Sequence, residues 1–161
     1  MPINNSAIQL VGKYSNVIVI RSASKFYGLP NHRIGYLFAD KELVKTYNKV
    51  SLPFAFSDLS ASVFIKALQN YNELENTKQK TILAKQYIFN NLPANNLIYS
   101  NVETPIFTIK TDKYKDLSKE LINSGIIPES CCNFINLDGT FARIRINNEY
   151  KKLTDILLKV L

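Results

Sequence analysis

Four residues whose chemistry suits anion binding and attack on a carbonyl follow a short apolar run. Ser22, Ser24 and Lys25 come shortly after residues 17–20, and Arg33 lies eight positions beyond the lysine. Hydroxyls and a forked, planar cation suit a phosphate group. A lysine amine held near other cations or away from water loses its proton more easily and becomes a nucleophile. These residue types predict a ligand that carries both a phosphate and a reactive aldehyde.

Arginine is used sparingly, which supports this prediction. The chain has 20 Lys+Arg, and its arginines are Arg21, Arg33, Arg143 and Arg145. Arginine offers a bidentate fork that lysine cannot supply, so its two locations are predicted sites of anion recognition. Taken alone, a Ser-x-Ser-Lys turn after a strand is also compatible with an ordinary loop.

The predicted elements place these groups at the edge of a sheet. Residues 17–20 are β-branched and apolar, which predicts a strand buried on both faces of a parallel sheet. Ligands of such sheets bind beyond the carboxyl ends of the strands. A second strand is predicted over 34–39, then a helix over 41–50 with Asp40 as its N-cap. From 59 to about 91 the pattern predicts one very long helix, or two with a break between 70 and 76.

The remainder of the chain predicts a small α/β unit. Strands are expected over 106–109 and 141–146, and helices over 114–124 and 149–161, with residues 93–101 as a loop. In the second strand Arg143 and Arg145 alternate with Ile144 and Ile146, so the two arginines share one face. A solvent-facing edge strand would explain that pattern without any ligand.

The segment from Ser22 to Gly35, SASKFYGLPNHRIG, resembles the lysine signature of class I and II pyridoxal-phosphate-dependent aminotransferases. The resemblance implies that Lys25 forms an internal aldimine with pyridoxal phosphate. It also implies that Ser22, Ser24 and Arg33 hold the phosphate of that cofactor.

The end of the chain, through its Cys132-Asn133-Phe134 run, resembles histidinol-phosphate aminotransferases and threonine-phosphate decarboxylases. This resemblance implies that Arg143 binds the α-carboxylate of the substrate. Asn147 and Arg145 depart from the residues usual in these families. The choice between transamination and decarboxylation, and the presence of a phosphate on the substrate, therefore stay open.

The resemblance implies an α/β fold, namely the C-terminal part of a fold type I transferase. Residues 1–70 would be the remainder of a large, mainly parallel-sheet domain and residues 71–161 a small α/β domain. The family's glycine-rich turn, stacking aromatic residue and ring-pairing aspartate have no counterpart before Lys25.

We expect part of an aminotransferase that acts on amino acid and 2-oxo acid substrates, with a homodimer as the family rule. The alternatives are a pyridoxal-phosphate-dependent amino acid decarboxylase and a catalytically inactive, truncated interaction module.

The composition of the chain disfavours several other classes of protein. The 161 residues are 46% hydrophobic and 20% charged, without a membrane-length apolar run or a signal-peptide pattern, so we expect a cytoplasmic protein. The net charge is +7, but lysines are interleaved with acidic residues, which disfavours nucleic-acid binding. Cys131 and Cys132 are adjacent, which disfavours a disulfide and predicts no metal site.

Overall fold

The computed structural model describes residues 6–98, 100–101 and 103–161. The backbone forms two compact units, one ending at Asn76 and the other beginning at Thr77. The predicted domain boundary between residues 70 and 71 stays a prediction.

The first unit contains a β-hairpin followed by helices. Its elements are β1 (Ile18–Ser22), β2 (Gly35–Ala39), α1 (Lys41–Val50), α2 (Asp58–Gln69) and the beginning of α3 (Tyr71–Asn91). Strands β1 and β2 are antiparallel, with Ile18 opposite Ala39 and Ser22 opposite Gly35. The two ends of the connection between them therefore meet at the same end of the hairpin.

The prediction that the first strand is buried on both faces of a parallel sheet is wrong. Strand β1 has an antiparallel neighbour, β2, and forms a two-stranded sheet with it. The side chains of Ile18 and Ile20 are 51% and 78% exposed. β-Branched residues favour an extended backbone, but they do not specify how many strands will flank it.

The helices of this unit begin and end where their local sequence predicts. The Asp40 side chain accepts a hydrogen bond of 2.9 Å from the amide of Glu42 at the start of α1. The Ser57 hydroxyl accepts one of 3.2 Å from the amide of Ser60 at the start of α2. Helices α2 and α3 are separated at Asn70, within the interval where a break was predicted.

The second unit is a four-stranded antiparallel sheet with helices. Its further elements are β3 (Leu97–Ile98), β4 (Ile106–Lys110), α4 (Leu117–Asn123), β5 (Glu129–Ser130), β6 (Phe141–Arg145) and α5 (Tyr150–Val160). The strand order is β3-β4-β6-β5. The short strands β3 and β5 were not predicted, because two residues carry too little periodicity to be recognised.

One apolar core joins this sheet to α3, α4 and α5. Its fully enclosed members include Ile88 on α3, Phe107 on β4, Leu121 on α4 and Leu157 on α5, each at most 1% exposed. Burying one such side chain stabilises the fold by about 1.5–3 kcal/mol. This core gives β6, the strand that carries Arg143, a rigid support.

Candidate functional site

The hairpin brings three of the predicted site residues to one end of a two-stranded sheet. Ser22 is the last residue of β1. The amide of Ala23 then donates a 3.0 Å hydrogen bond to the carbonyl oxygen of Ile34, which extends the pairing by one residue. Ser24 comes directly after that bond and Arg33 directly before it. The two hydroxyls and the guanidinium therefore start from neighbouring backbone positions.

Lys25 lies in a closed turn at this end of the hairpin. The amide of Gly28 donates to the carbonyl oxygen of Lys25 at 3.2 Å, and that of Leu29 donates to Ala23 at 3.3 Å. Gly28 has φ of 66°, a left-handed conformation that glycine adopts without steric cost. The Lys25 side chain is exposed in this chain, so its amine is accessible to a ligand.

The serine and arginine side chains keep donors available for an anion. The Ser22 hydroxyl oxygen accepts a 3.1 Å hydrogen bond from the amide of Ser24, which leaves its own hydrogen free to donate. The Arg33 guanidinium donates to the carbonyl oxygen of Pro30 at 3.0 Å and is otherwise exposed. A guanidinium has five N–H groups, so most of them remain for a ligand.

Arg33 occupies a backbone conformation that arginine rarely adopts. Its φ and ψ are 53° and 40°, in the left-handed region. A non-glycine residue there costs of order 1–3 kcal/mol, and such residues cluster at functional sites. The residue with this unfavourable backbone conformation is the one that the sequence predicts to bind an anion.

Aromatic packing anchors the connection to helix α2. The rings of Tyr27 and Tyr36 lie 5.2 Å and 5.4 Å from the ring of Phe64 on α2. Burial, with help from a hydrogen bond to Tyr27, raises the pKa of Tyr36 to about 12. His32 adds a polar contact, with its Nδ1 atom 3.1 Å from the hydroxyl of Ser60. These contacts hold both ends of the turn that contains Lys25.

Arg143 lies in the second unit, on the face of β6 opposite its core. It is paired with Thr108 of β4 and with Glu129 of β5. Its guanidinium is 3.7 Å from the Glu129 carboxylate and 5.6 Å from the centre of the Phe134 ring. The neighbour Ile144 is buried while Arg143 is not, so the predicted alternation along this strand is confirmed.

The two adjacent cysteines are not linked to each other. Cys131 is buried and Cys132 exposed, and both are free thiols. Burial raises the pKa of the Cys131 thiol, which keeps it protonated. Among the residues that the structure describes, no three His, Cys, Asp or Glu side chains could hold a metal ion together.

Among the helices of the described residues, none is both long enough and apolar enough to cross a bilayer.

One polar group missed at the sequence level is Lys85 on α3. Its side chain is fully buried, and burial lowers the pKa of its amine to about 8. The sequence did contain a signal, because Lys85 occupies an apolar stripe with Ile82, Ile88 and Phe89 at helical spacing. A lysine in such a stripe requires buried partners.

Solved structures share this fold. A histidinol-phosphate aminotransferase from Clostridium acetobutylicum superposes with a TM-score of 0.81 at 22% identity, over 98% of this chain and 49% of its own. That from Sinorhizobium meliloti, solved in complex with pyridoxal-5'-phosphate, gives 0.77 at 22% identity, over 95% and 43%. An L-threonine-O-3-phosphate decarboxylase from Porphyromonas gingivalis gives 0.72 at 20% identity, over 94% and 49%. The architecture is thus that of part of a fold type I transferase.

The family follows from the sequence match. The family described as aminotransferase class I and II matches residues 2–159, so the chain belongs to it. The histidinol-phosphate aminotransferase of Methanocaldococcus jannaschii is 28% identical over 158 residues, which cover 95% of this chain and 42% of that enzyme. The chain therefore spans less than half the length of this relative.

Proposed function

We propose that this chain is part of a pyridoxal-phosphate-dependent aminotransferase in which Lys25 carries the cofactor. The observation that carries the proposal is the hairpin end, where Ser22, Ser24 and Arg33 surround a turn containing an exposed lysine. The donor set fits the cofactor, because hydroxyls and a guanidinium suit a phosphate and an amine suits its aldehyde. Membership of the family and its likeness to a pyridoxal-phosphate-bound structure support the same assignment.

Each residue has a distinct role in this proposal. Ser22, Ser24 and Arg33 bind the phosphate and fix the orientation of the ring. Lys25 would hold the cofactor through its amine until the amine of the substrate displaces it, and the released Lys25 amine would then move a proton between the substrate Cα atom and the C4′ carbon. When bound, the cofactor would supply the electron sink that stabilises negative charge at Cα. Arg143 binds the carboxylate of the amino acid or 2-oxo acid.

Decarboxylation is the second candidate. The similarity of the fold to that of an L-threonine-O-3-phosphate decarboxylase supports this candidate. The two reactions differ in the substrate bond aligned with the π system of the ring: Cα–H for transamination and Cα–carboxylate for decarboxylation. An assay that detects both released CO₂ and transferred amine distinguishes them.

Covalent labelling tests the role of Lys25. The protein is incubated with pyridoxal phosphate, reduced with borohydride and digested, and the modified peptide is identified by mass spectrometry. We expect one dominant adduct, on Lys25, and its loss in Lys25→Ala but not in Lys49→Ala, which removes another exposed lysine. Adducts distributed over exposed lysines would contradict the role of Lys25, whereas an unlabelled, self-associating protein would favour the interaction module.

Arg33→Lys tests the phosphate ligand while keeping the charge. Lysine lacks the fork, and a hydrogen bond to a charged group contributes about 1.5–3 kcal/mol, so binding of the cofactor should weaken roughly tenfold or more. The measurement is the pyridoxal phosphate concentration that gives half-maximal adduct on Lys25. An unchanged midpoint would exclude Arg33 from phosphate binding.

We further propose a homodimer located in the cytoplasm, with neither nucleic acid nor a membrane as a partner. Several large apolar side chains of the segment 50–59 support self-association, since Leu52, Phe54 and Leu59 are 79%, 98% and 70% exposed. Light scattering should give twice the mass of one chain, and Phe54→Asp should lower it. A monomer at all concentrations would contradict the dimer.

A further inference from the structure

The amine of Lys85 lies inside a shell of five oxygen atoms. Its Nζ is 2.6 Å from the Ser100 hydroxyl and 3.0 Å from the Thr104 hydroxyl. The carbonyl oxygens of Asn101, Ile106 and Thr104 lie at 2.7, 2.8 and 3.1 Å. An ammonium has three N–H groups, so five oxygens at these distances surround it as ligands surround an ion.

Among the residues that the structure describes, none contributes a carboxylate to this shell. Glu103, on the same connection, is paired instead with Lys78 at 3.3 Å. An isolated buried charge is costly unless it is hydrogen-bonded on all sides. Here neutral carbonyl and hydroxyl oxygens replace the water around the ammonium of Lys85, while the ring of Phe89 lies 5.5 Å from it.

The orientation of the hydroxyls favours a cation at the centre. The Thr104 hydroxyl donates to the carbonyl oxygen of Asn101 at 2.8 Å, and the Ser100 hydroxyl donates to that of Ile106 at 3.0 Å. Each hydroxyl therefore has a carbonyl oxygen to which it can donate its hydrogen, and its lone pairs are then left for Lys85.

Helix α3 and the connection between strands β3 and β4 supply the two sides of this site. Ile98 lies opposite Thr108 where β3 pairs with β4. The carbonyl oxygen of Ile106, at the start of β4, receives a hydrogen bond from the Ser100 hydroxyl on the connection. The Lys85 ammonium completes the set from helix α3.

We propose that the oxygen atoms of Ser100, Asn101, Thr104 and Ile106 form a binding site for a monovalent cation, in which the Lys85 ammonium replaces a free ion. The class of ion follows from the distances and the charge. Magnesium and calcium bind oxygens at about 2.0–2.6 Å and usually through carboxylates. A cage of neutral oxygens at 2.6–3.1 Å instead suits ammonium or potassium, the latter being bound by carbonyls in channels.

Proton exchange in the unaltered chain gives the first test. Nitrogen-15 NMR of labelled lysine side chains should show NH₃⁺ hydrogens of Lys85 that exchange slowly with water at neutral pH. Lys80 is exposed on the same helix and should exchange fast. Equal exchange rates for Lys85 and Lys80 would overturn the proposal.

Chemical rescue gives the second test. Lys85→Ala should raise the unfolding equilibrium constant roughly tenfold to hundredfold, because charge-assisted hydrogen bonds are lost. Ammonium, methylammonium or potassium chloride should restore stability in a saturable manner, whereas tetramethylammonium chloride at equal ionic strength should not. Lys80→Ala and the unaltered chain should respond equally to all four salts.

The rescue experiment has results that support the proposed cation site and results that contradict it. Rescue by the small cations supports the site, and an equal response to tetramethylammonium overturns it. If Lys85→Ala does not fold in any of these salts, the exchange measurement on the unaltered chain decides.

Discussion

Raising the pH should stabilise the native chain relative to a Lys85→Met variant. Burial lowers the pKa of the Lys85 amine from 10.5 to about 8, so the amine is charged at neutral pH and loses its proton earlier in the folded state. Between these two pKa values the unfolded chain binds more protons than the folded chain. Stability therefore rises with pH across that window.

The magnitude follows from the two pKa values. One pKa unit corresponds to about 1.4 kcal/mol, so the gain between about pH 7 and pH 10 is about 2–3 kcal/mol. For a chain of this size that is a rise in Tm of about 5–10 °C. Methionine removes the titrating group while keeping most of the side-chain volume, so Lys85→Met lacks this contribution.

The assay is urea unfolding of both proteins at several pH values from about 7 to 10, in which other titrating groups cancel in the difference. Tyr36 has the opposite sign, because its raised pKa of about 12 makes stability fall mainly above pH 10, outside this range. Lys80→Met serves as the control for loss of an exposed charge on the same helix. A difference that is flat, or that falls with pH, would refute the reasoning, because it would mean that the oxygen shell offsets the burial penalty completely.

Three further experiments test the packing and the raised pKa of Tyr36. Gly139→Ala should destabilise the second unit by about 1–3 kcal/mol in urea unfolding, because a Cβ atom there would lie 2.2 Å from a backbone oxygen. Gly35→Ala, where the nearest atom is at 3.4 Å, should cost clearly less, and equal losses would contradict this geometry. Phe107→Ala should cost about 3–5 kcal/mol and Ile127→Ala at most about 0.5 kcal/mol, since these residues are 1% and 91% exposed; a reversed order would contradict the assigned core. Tyr36→Phe should abolish the part of the stability loss between about pH 10 and 12 that this phenol causes, and an unchanged loss would refute its raised pKa.

Local signals predicted much of the fold. The capping carboxylate of Asp40 predicted the start of α1, which the structure gives as Lys41–Val50. The alternation around Arg143 predicted which face of β6 is buried, because successive strand residues point to opposite faces. These features depend on neighbours in the sequence, so they can be read from it directly.

The environment of β1 could not be read in this way. Val19 and Ile20 favour an extended backbone in any sheet, but their burial depends on which elements pack beside the strand. Ile20 is 78% exposed because β2 is the one neighbour that pairs with β1 among the described residues. The left-handed backbone of Arg33 could not be predicted from the sequence either, because a residue other than glycine usually has a negative φ.

Lys25 and Lys85 show why one lysine was predicted and the other missed. Lys25 is surrounded in the sequence by Ser22, Ser24 and Arg33, so a local segment already suggests its chemistry. The oxygen atoms around Lys85 come from residues between 15 and 21 positions later in the chain. What the sequence does show is a lysine in the apolar stripe of α3, and such a residue must be neutralised, hydrogen-bonded or exposed. Lys85 is fully buried, and the described part of the chain places no carboxylate in its shell, so hydrogen bonding to neutral oxygens is the solution that this chain uses.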